Sequence, residues 1–151
     1  MADNVAIEII GAMIGHPAIW KKLRKLKTGI ASDVTSLVPP PEVASFSKAV
    51  VVSGTGRTVY VSGHLAPGRS MAEQTNGCFD QIEAALRAVG GSLEHVVRIT
   101  AWLTSLDEYA EYARVRGKRF GTNLPASAAV QVAGLLRGAL IEIDAVAFIP
   151  D

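Results

Sequence analysis

Apolar and polar positions alternate strictly in the last apolar stretch of the chain. In "LIEIDAVAF", Ile141, Ile143 and Ala145 fall on one face of an extended strand. Glu142 and Asp144 fall on the other face. The first face is typical of a core, whereas the second must meet water, a ligand or another subunit. We therefore expect a half-buried strand that carries two carboxylates on its open face.

The same kind of pattern predicts the other elements. "EVASFSKAVVV" and "VYVSG" are predicted strands of a hairpin around the turn "SGTGRT", and "VVRITAWLT" is a third strand. A capping box, Ser70 with Glu73, precedes the helical spacing of "CFDQIEAALRAVGG", and Ser105 with Glu108 precedes "LDEYAEYARVRGKRFG". "LPASAAVQVAGLLRGALIEIDAVAF" is predicted to form a closing hairpin. The order β-β-α-β-α-β-β predicts an α+β domain with two helices on one face of a sheet.

The N-terminal part of the chain differs from the rest. "LVPPPE" favours extended backbone and separates an extension, residues 1–39, from a domain at residues 40–151. Within the extension, "WKKLRKLK" predicts a basic amphipathic helix. Such a helix could bind a membrane surface, RNA or a partner, or it could dock onto its own oligomer. The uncovered face of the sheet favours an oligomer with cyclic symmetry.

Composition narrows the function classes. A net charge of +1, from 15 basic and 14 acidic residues among 151, gives no general attraction to nucleic acid or membrane. One cysteine, Cys78, excludes an internal disulfide, and we expect it to pack in the core. No stretch is long and apolar enough to span a bilayer. We expect a cytoplasmic protein, and its three scattered histidines show no metal-ligand spacing.

Four motifs resemble one known family: "VYVSGHL", "VGGSLEHVVRITAWL", "PASAAVQVAGLLRG" and "GALIEIDAVAF". It is the Rid family of reactive intermediate deaminases, also called the YjgF or L-PSP endoribonuclease family, and the resemblance runs from about Pro40 to Phe148. It implies a chorismate-mutase-like fold and a homotrimer whose sheets form an inner barrel with clefts between subunits. It also implies hydrolysis of enamine or imine acids to 2-keto acids and ammonia without a cofactor.

The family's functional residues carry over to this sequence only in part. The glycine of "YVSG" is Gly63, the first-strand tyrosine falls on Phe46, and the carboxylate-binding arginine falls on Ser127. The residue two positions after that arginine is Ala129, and the last-strand glutamate that positions or activates water falls on Asp144. The resemblance therefore implies a catalytic carboxylate at Asp144 and a substrate-binding group formed by the other four residues.

Each candidate also has a simpler explanation. Asp144 could belong to an interface salt bridge, and Glu142 is expected to face solvent or to pair with a neighbouring side chain. His64 follows Gly63 at the expected edge of the cleft, where an imidazole could act as acid or base near neutral pH. We treat His64 as a second catalytic candidate, although a hydrogen-bonded surface or interface histidine would fit the same pattern.

The missing arginine shapes the functional expectation. Loss of a charge-assisted hydrogen bond, about 1.5–3 kcal/mol, would weaken carboxylate binding by at least about tenfold. The sequence therefore predicts a divergent, cofactor-independent Rid-type enzyme that hydrolyses, deaminates or tautomerises a small imine or enamine, rather than a standard 2-iminoacid deaminase. The alternative is a non-catalytic ligand-binding or regulatory trimer. Nuclease activity has little physical support, because the chain is nearly neutral.

Overall fold

Strands and helices follow one another along residues 33–37 and 46–151, the part of the chain that the computed structural model describes. The elements are β1 (Asp33–Leu37), β2 (Ala49–Ser53), β3 (Gly56–His64), α1 (Met71–Ala88), β4 (Val96–Leu103), α2 (Tyr109–Phe120), β5 (Ala126–Gln131) and β6 (Ile141–Pro150). The predicted basic amphipathic helix lies outside the described residues. None of the helices described here is long and apolar enough to cross a membrane.

The main sheet has four strands in the order β3-β6-β4-β5. The central strand β6 pairs antiparallel with β3 and with β4, whereas β5 pairs parallel with β4. On one face of β6, Ile141, Ile143 and Ala145 are at most 1% exposed. On the other face, Glu142 and Asp144 are half-buried. The predicted alternation is therefore confirmed.

Both helices pack on the apolar face of this sheet. α1 lies across β3 and β6, and α2 lies beside α1. The side chain of Ser70 accepts a hydrogen bond from the backbone N–H of Glu73 and so caps α1. At the other end, the N–H of Gly91 donates to the carbonyl of Leu86, and Gly90 adopts a positive φ of 81°. The predicted α+β fold, with two helices on one face, is confirmed.

Three local predictions need correction. β2 pairs with β1 instead of forming a hairpin with β3, and β5 pairs with β4 instead of forming a hairpin with β6. Periodicity shows which face of a strand is buried, but the partner at each edge depends on the whole sheet. In addition, Ser105 caps a short 3₁₀ turn, Leu106–Glu108, so that α2 begins only at Tyr109.

Candidate functional site

A cavity lies along the outer side of β5, the edge strand of the main sheet. The segment around Ser47 closes its far wall, because the Ser47 N–H donates to the Pro125 carbonyl at 2.9 Å and its hydroxyl donates to the Leu124 carbonyl at 2.5 Å. The cavity measures about 260 Å³. Its lining consists of Phe46, Ser47, Lys48, Arg98, Ala126, Ser127 and Ala128. Two predicted substrate-binding residues, Phe46 and Ser127, therefore share one cavity.

The charged side chains that line the cavity are all positive. Lys48 and Arg98 both border the cavity and are exposed, and its lining contains no carboxylate. The volume lies just below the roughly 300 Å³ at which pockets for drug-sized ligands begin. The cavity is suited to a small ligand that is anionic or rich in hydrogen-bond acceptors.

A buried arginine stands behind Ser127. Arg116 lies on α2 and is 1% exposed. Its Nη1 donates to the Ser127 hydroxyl at 3.1 Å and to the Tyr112 phenol oxygen at 3.3 Å. The guanidinium also lies 5.0 Å from the centre of the Tyr112 ring, which gives a cation–π contact. Burial raises the pKa of the Tyr112 phenol, and the charge and hydrogen bond of Arg116 oppose that rise.

This guanidinium is incompletely paired. Within the described residues, Arg116 forms no salt bridge, and its Nε and Nη2 atoms are buried without a hydrogen-bond acceptor. A buried polar atom without a partner is unfavourable, and a buried charge is more so. The half-buried Arg119, by contrast, forms salt bridges with both Asp80 and Glu83.

The two carboxylates of β6 have different neighbours. Asp144 lies opposite Thr100 on β4, and its Oδ1 accepts the Thr100 backbone N–H at 3.1 Å. The carboxylate of Glu142 instead lies against Gly63 on β3, so closely that any Cβ at position 63 would overlap it. Gly63 is thus needed for close approach, as glycines often are, but the group that approaches is a carboxylate of the same chain.

His64 faces the helices. It is half-buried, its Nδ1 lies 3.2 Å from Oε1 of Gln81 on α1, and its carbonyl accepts a hydrogen bond from the thiol of Cys78. Cys78 is fully buried, as predicted. Burial raises the pKa of this thiol to about 12, and the nearby charge of Glu142 acts in the same direction. His64 therefore has the hydrogen-bonded packing environment that was the simpler explanation for it.

The predicted site residues divide between the two edges of the sheet. Gly63 and His64 lie on β3, whereas Ser127 and Ala129 lie on β5, with β6 and β4 between them. Three strand spacings separate these edges, which amounts to about 14 Å. Ala129 shares the helix-facing side of β5 with Ser127 and packs against the core. A single chain does not gather all the predicted residues around one ligand.

Comparison with known proteins decides the family. Residues 38–149 match the family described as endoribonuclease L-PSP, which covers most of the chain. The chain belongs to this family. The resemblance to the L-PSP endoribonuclease, YjgF or Rid family is thereby confirmed. Within the described residues, this L-PSP family member has no group of three His, Cys, Asp or Glu side chains placed to hold a metal ion.

Relatives of this L-PSP family member include proteins with different printed names. Protein DfrA of Myxococcus xanthus is 34% identical over 116 residues, covering 72% of this chain and 88% of that protein. The 2-iminobutanoate/2-iminopropanoate deaminase of Rattus norvegicus is also 34% identical, over 117 residues, covering 72% of this chain and 82% of the rat protein.

Solved structures of the L-PSP family share the fold. Rv2704 of Mycobacterium tuberculosis, a member of the YjgF/YER057c/UK114 family, has a TM-score of 0.61 at 30% identity, covering 78% of this chain and 100% of that one. RidA from an Antarctic Psychrobacter has a TM-score of 0.60 at 34% identity, covering 76% and 96%. They confirm the predicted fold class for this L-PSP chain.

The buried, partly unpaired Arg116 was not predicted from the sequence. Tyr112, Arg116 and Phe120 follow one another at a spacing of four residues and are all buried. An arginine inside the apolar stripe of a helix is unusual, because long charged side chains are seldom buried unless they are paired. The position of Arg116 within the apolar stripe of α2 was the feature of the sequence that could have indicated a buried arginine in this member of the L-PSP family.

Proposed function

We propose that this protein is a Rid-type enzyme that hydrolyses, deaminates or tautomerises a small imine or enamine. Its membership of the family carries the proposal, since several relatives are named 2-iminobutanoate/2-iminopropanoate deaminase. The cavity beside β5 supports it, because it is small, positively lined, and contains Phe46 and Ser127. The replacement of the family's arginine by Ser127 is the reason to expect a substrate other than the standard 2-iminoacids.

The active unit in this proposal is a homotrimer with its sites in clefts between subunits. The separation of Gly63 from Ser127 by three strand spacings supports this arrangement, since β3 and β5 are opposite edges of the sheet. A site that uses both edges requires a second copy of the chain. The open face of the sheet provides apolar surface for such contacts, for example at Tyr60, which is 80% exposed.

The proposed chemistry requires little beyond a placed carboxylate. In imine hydrolysis a water oxygen bonds to the imine carbon while a carboxylate takes a proton from that water. The carboxylate passes that proton to the nitrogen, and the hydroxyl proton of the resulting adduct also moves to the nitrogen as the C–N bond breaks, so that ammonia leaves and a carbonyl compound remains. The reaction is redox-neutral. Asp144 is the carboxylate that the sequence predicts for this role, and Glu142 becomes a second candidate because it lies against Gly63.

Ammonia release is the direct test. The purified full-length protein would be given a panel of freshly generated small imines, with and without a carboxylate. The expected result is faster ammonia release than in buffer alone for at least one member of the panel. Equal rates of ammonia release and of imine–enamine interconversion with and without protein across the panel would instead favour the alternative, a ligand-binding or regulatory trimer without catalysis.

A further inference from the structure

A stripe of polar side chains on α1 is bonded to the segment of chain that follows β3. Its members are four and three residues apart, which places them on one side of the helix. Each donates to a backbone carbonyl: Gln74 to that of Gly68, Cys78 to that of His64, and Gln81 to that of Leu65. Side chains of α1 therefore fix the chain just beyond Gly63.

These contacts adjoin an irregularity in the sheet. The pairing of β3 with β6 shifts by one residue between Val61 and His64, so Ser62 and Gly63 form a β-bulge. A bulge interrupts the ladder, and bulges often lie beside active sites because they redirect side chains. The contact between Gly63 and Glu142 lies at this bulge. Its geometry therefore depends on what holds the chain on either side, in addition to the sheet.

Gln74 is bonded to the chain on both sides at once. Its Nε2 donates to the Gly68 carbonyl at 3.0 Å, and its Oε1 accepts the Leu140 N–H at 2.8 Å. The residue is only 6% exposed, so this amide is a buried and fully oriented group. The Leu140 carbonyl in turn accepts the Thr104 N–H at 3.0 Å. Both backbone groups of Leu140 are thus held, two residues before Glu142.

We infer that Gln74 is a positioning residue of this site. Its amide sets where the start of β6 lies relative to the end of β3, and so holds the Glu142 carboxylate against Gly63. The inference rests on the proposed function, in which Glu142 is a candidate for the carboxylate that takes a proton from water. A buried amide that only stabilised the fold would change the free energy of unfolding, whereas a positioning residue also changes kcat through one carboxylate.

The first test is a kinetic double-mutant cycle on the imine of the panel that gives the fastest ammonia release. Gln74→Met keeps the length of the side chain and removes both hydrogen bonds. It should lower kcat about 10–100-fold with a smaller change in KM, since a displaced catalytic group costs about that much. In the Glu142→Gln background it should lower the residual kcat no further, because the group through which it acts is already absent.

Thr75→Val is the matched control. Thr75 is the next residue of α1, is fully buried, and donates its hydroxyl to the Met71 carbonyl within the helix at 2.6 Å. The substitution removes a buried hydrogen bond that touches neither of the two chain segments. It should lower the melting temperature and leave kcat unchanged. Circular dichroism establishes that each variant is folded.

A second test needs no turnover. The Glu142 side chain lies so close to Gly63 that a nuclear Overhauser effect is expected between the Hγ protons of Glu142 and the Hα protons of Gly63. This effect should be strong in the wild-type protein and in Thr75→Val, and weakened in Gln74→Met. Gln74→Asn keeps an amide but shortens the side chain by one methylene group, so that it reaches only one of its two partners. It should weaken the Overhauser effect in part.

Several results would overturn the inference. One is the absence of the Overhauser effect in the wild-type protein, a measurement that needs no variant. Another is unchanged kcat in Gln74→Met, or an equal fractional loss of kcat in the wild-type and Glu142→Gln backgrounds, which would assign Gln74 a purely structural role. If Gln74→Met does not fold, Gln74→Asn decides, and an undiminished Overhauser effect in that variant counts against the inference.

Failure of this inference can be told from failure of the proposed function. A contact between Gly63 and Glu142 that depends on Gln74, without turnover of any imine, would keep the positioning role and remove the catalytic proposal. Ammonia release that is unaffected in Gln74→Met would keep the catalytic proposal and remove this inference.

Discussion

Glu142 and Asp144 share one face of β6, but they have different neighbours, and this affects whether each could act as a general base. One oxygen of Asp144 is held by the backbone N–H of Thr100, which ties this carboxylate to the sheet. Glu142 contacts Gly63, a residue that the resemblance assigns to substrate binding. A general base needs a carboxylate oxygen within reach of a water molecule. The contact of Glu142 with Gly63 is the reason to propose Glu142 ahead of Asp144 as this base.

We therefore expect Glu142→Gln to lower kcat by about 10²–10⁴, the usual contribution of a general base. Asp144→Asn should lower kcat less, because the amide oxygen can still accept from Thr100. Both effects would be measured by ammonia release on an imine found by screening. The opposite ranking, with loss of turnover in Asp144→Asn alone, would support the assignment made from the sequence.

Cys78 is predicted to be an unreactive thiol at ordinary pH. Burial raises its pKa from 9.0 to about 12, so the folded protein keeps the thiol protonated. Iodoacetamide at pH 8 should therefore modify the native protein much more slowly than the urea-unfolded protein. Similar rates in the two states would show that the thiol is accessible and ionised.

The same shift has a consequence for stability. The pKa of the Cys78 thiol is higher in the folded protein than in the unfolded chain. The stabilisation that comes from burying the protonated thiol is therefore complete below about pH 9 and is lost as the pH rises towards about 12. The urea midpoint of the wild-type protein should fall more steeply over that range than that of Cys78→Ala. Parallel pH profiles would contradict the assignment.

At the scale of elements, the start of α1 depends on one hydroxyl. Ser70 accepts the Glu73 N–H, and the Glu73 carboxylate accepts the Arg69 N–H at 2.7 Å, so two backbone donors are satisfied at this end. Ser70→Ala should lower the free energy of unfolding by about 1 kcal/mol, measured by urea denaturation.

Ser105→Ala is the matched comparison. It removes the same group from the three-residue turn Leu106–Glu108 and should destabilise the protein less, since the turn carries little of the core. A larger effect at Ser105 than at Ser70 would mean that the cap of α1 contributes little to folding.

At the scale of the whole molecule, we expect a trimer held by the open face of the main sheet. Tyr60 lies opposite Val146 on this face and is 80% exposed in the single chain. A large, mostly apolar side chain exposed on an open sheet face favours association. Light scattering at micromolar concentration should give three times the monomer mass.

Tyr60→Glu should shift the protein towards the monomer, because burying a carboxylate without a partner is unfavourable. Leu106→Glu changes an exposed apolar residue away from the sheet, 47% exposed, and should leave the mass unchanged. A wild-type monomer, or equal effects of the two substitutions, would exclude the open face as the interface.

The order of elements from β2 onward, the buried face of β6 and the family were all determined by the sequence, because each depends on local periodicity or on motifs, whereas β1 (Asp33–Leu37) was not predicted. Alternation placed Ile143 in the core and Asp144 outside it, and the glycines after α1 marked its end. Such features are properties of a single segment, so one segment suffices to predict them.

The tertiary structure decided which strand edges meet and which side chains converge. Nothing in the local pattern distinguishes β5 as a partner of β4 from β5 as a partner of β6, since strand pairing depends on contacts distant in sequence. Likewise, Arg116 and Ser127 belong to different elements, and only the packing of α2 brings the guanidinium within hydrogen-bond distance of the Ser127 hydroxyl.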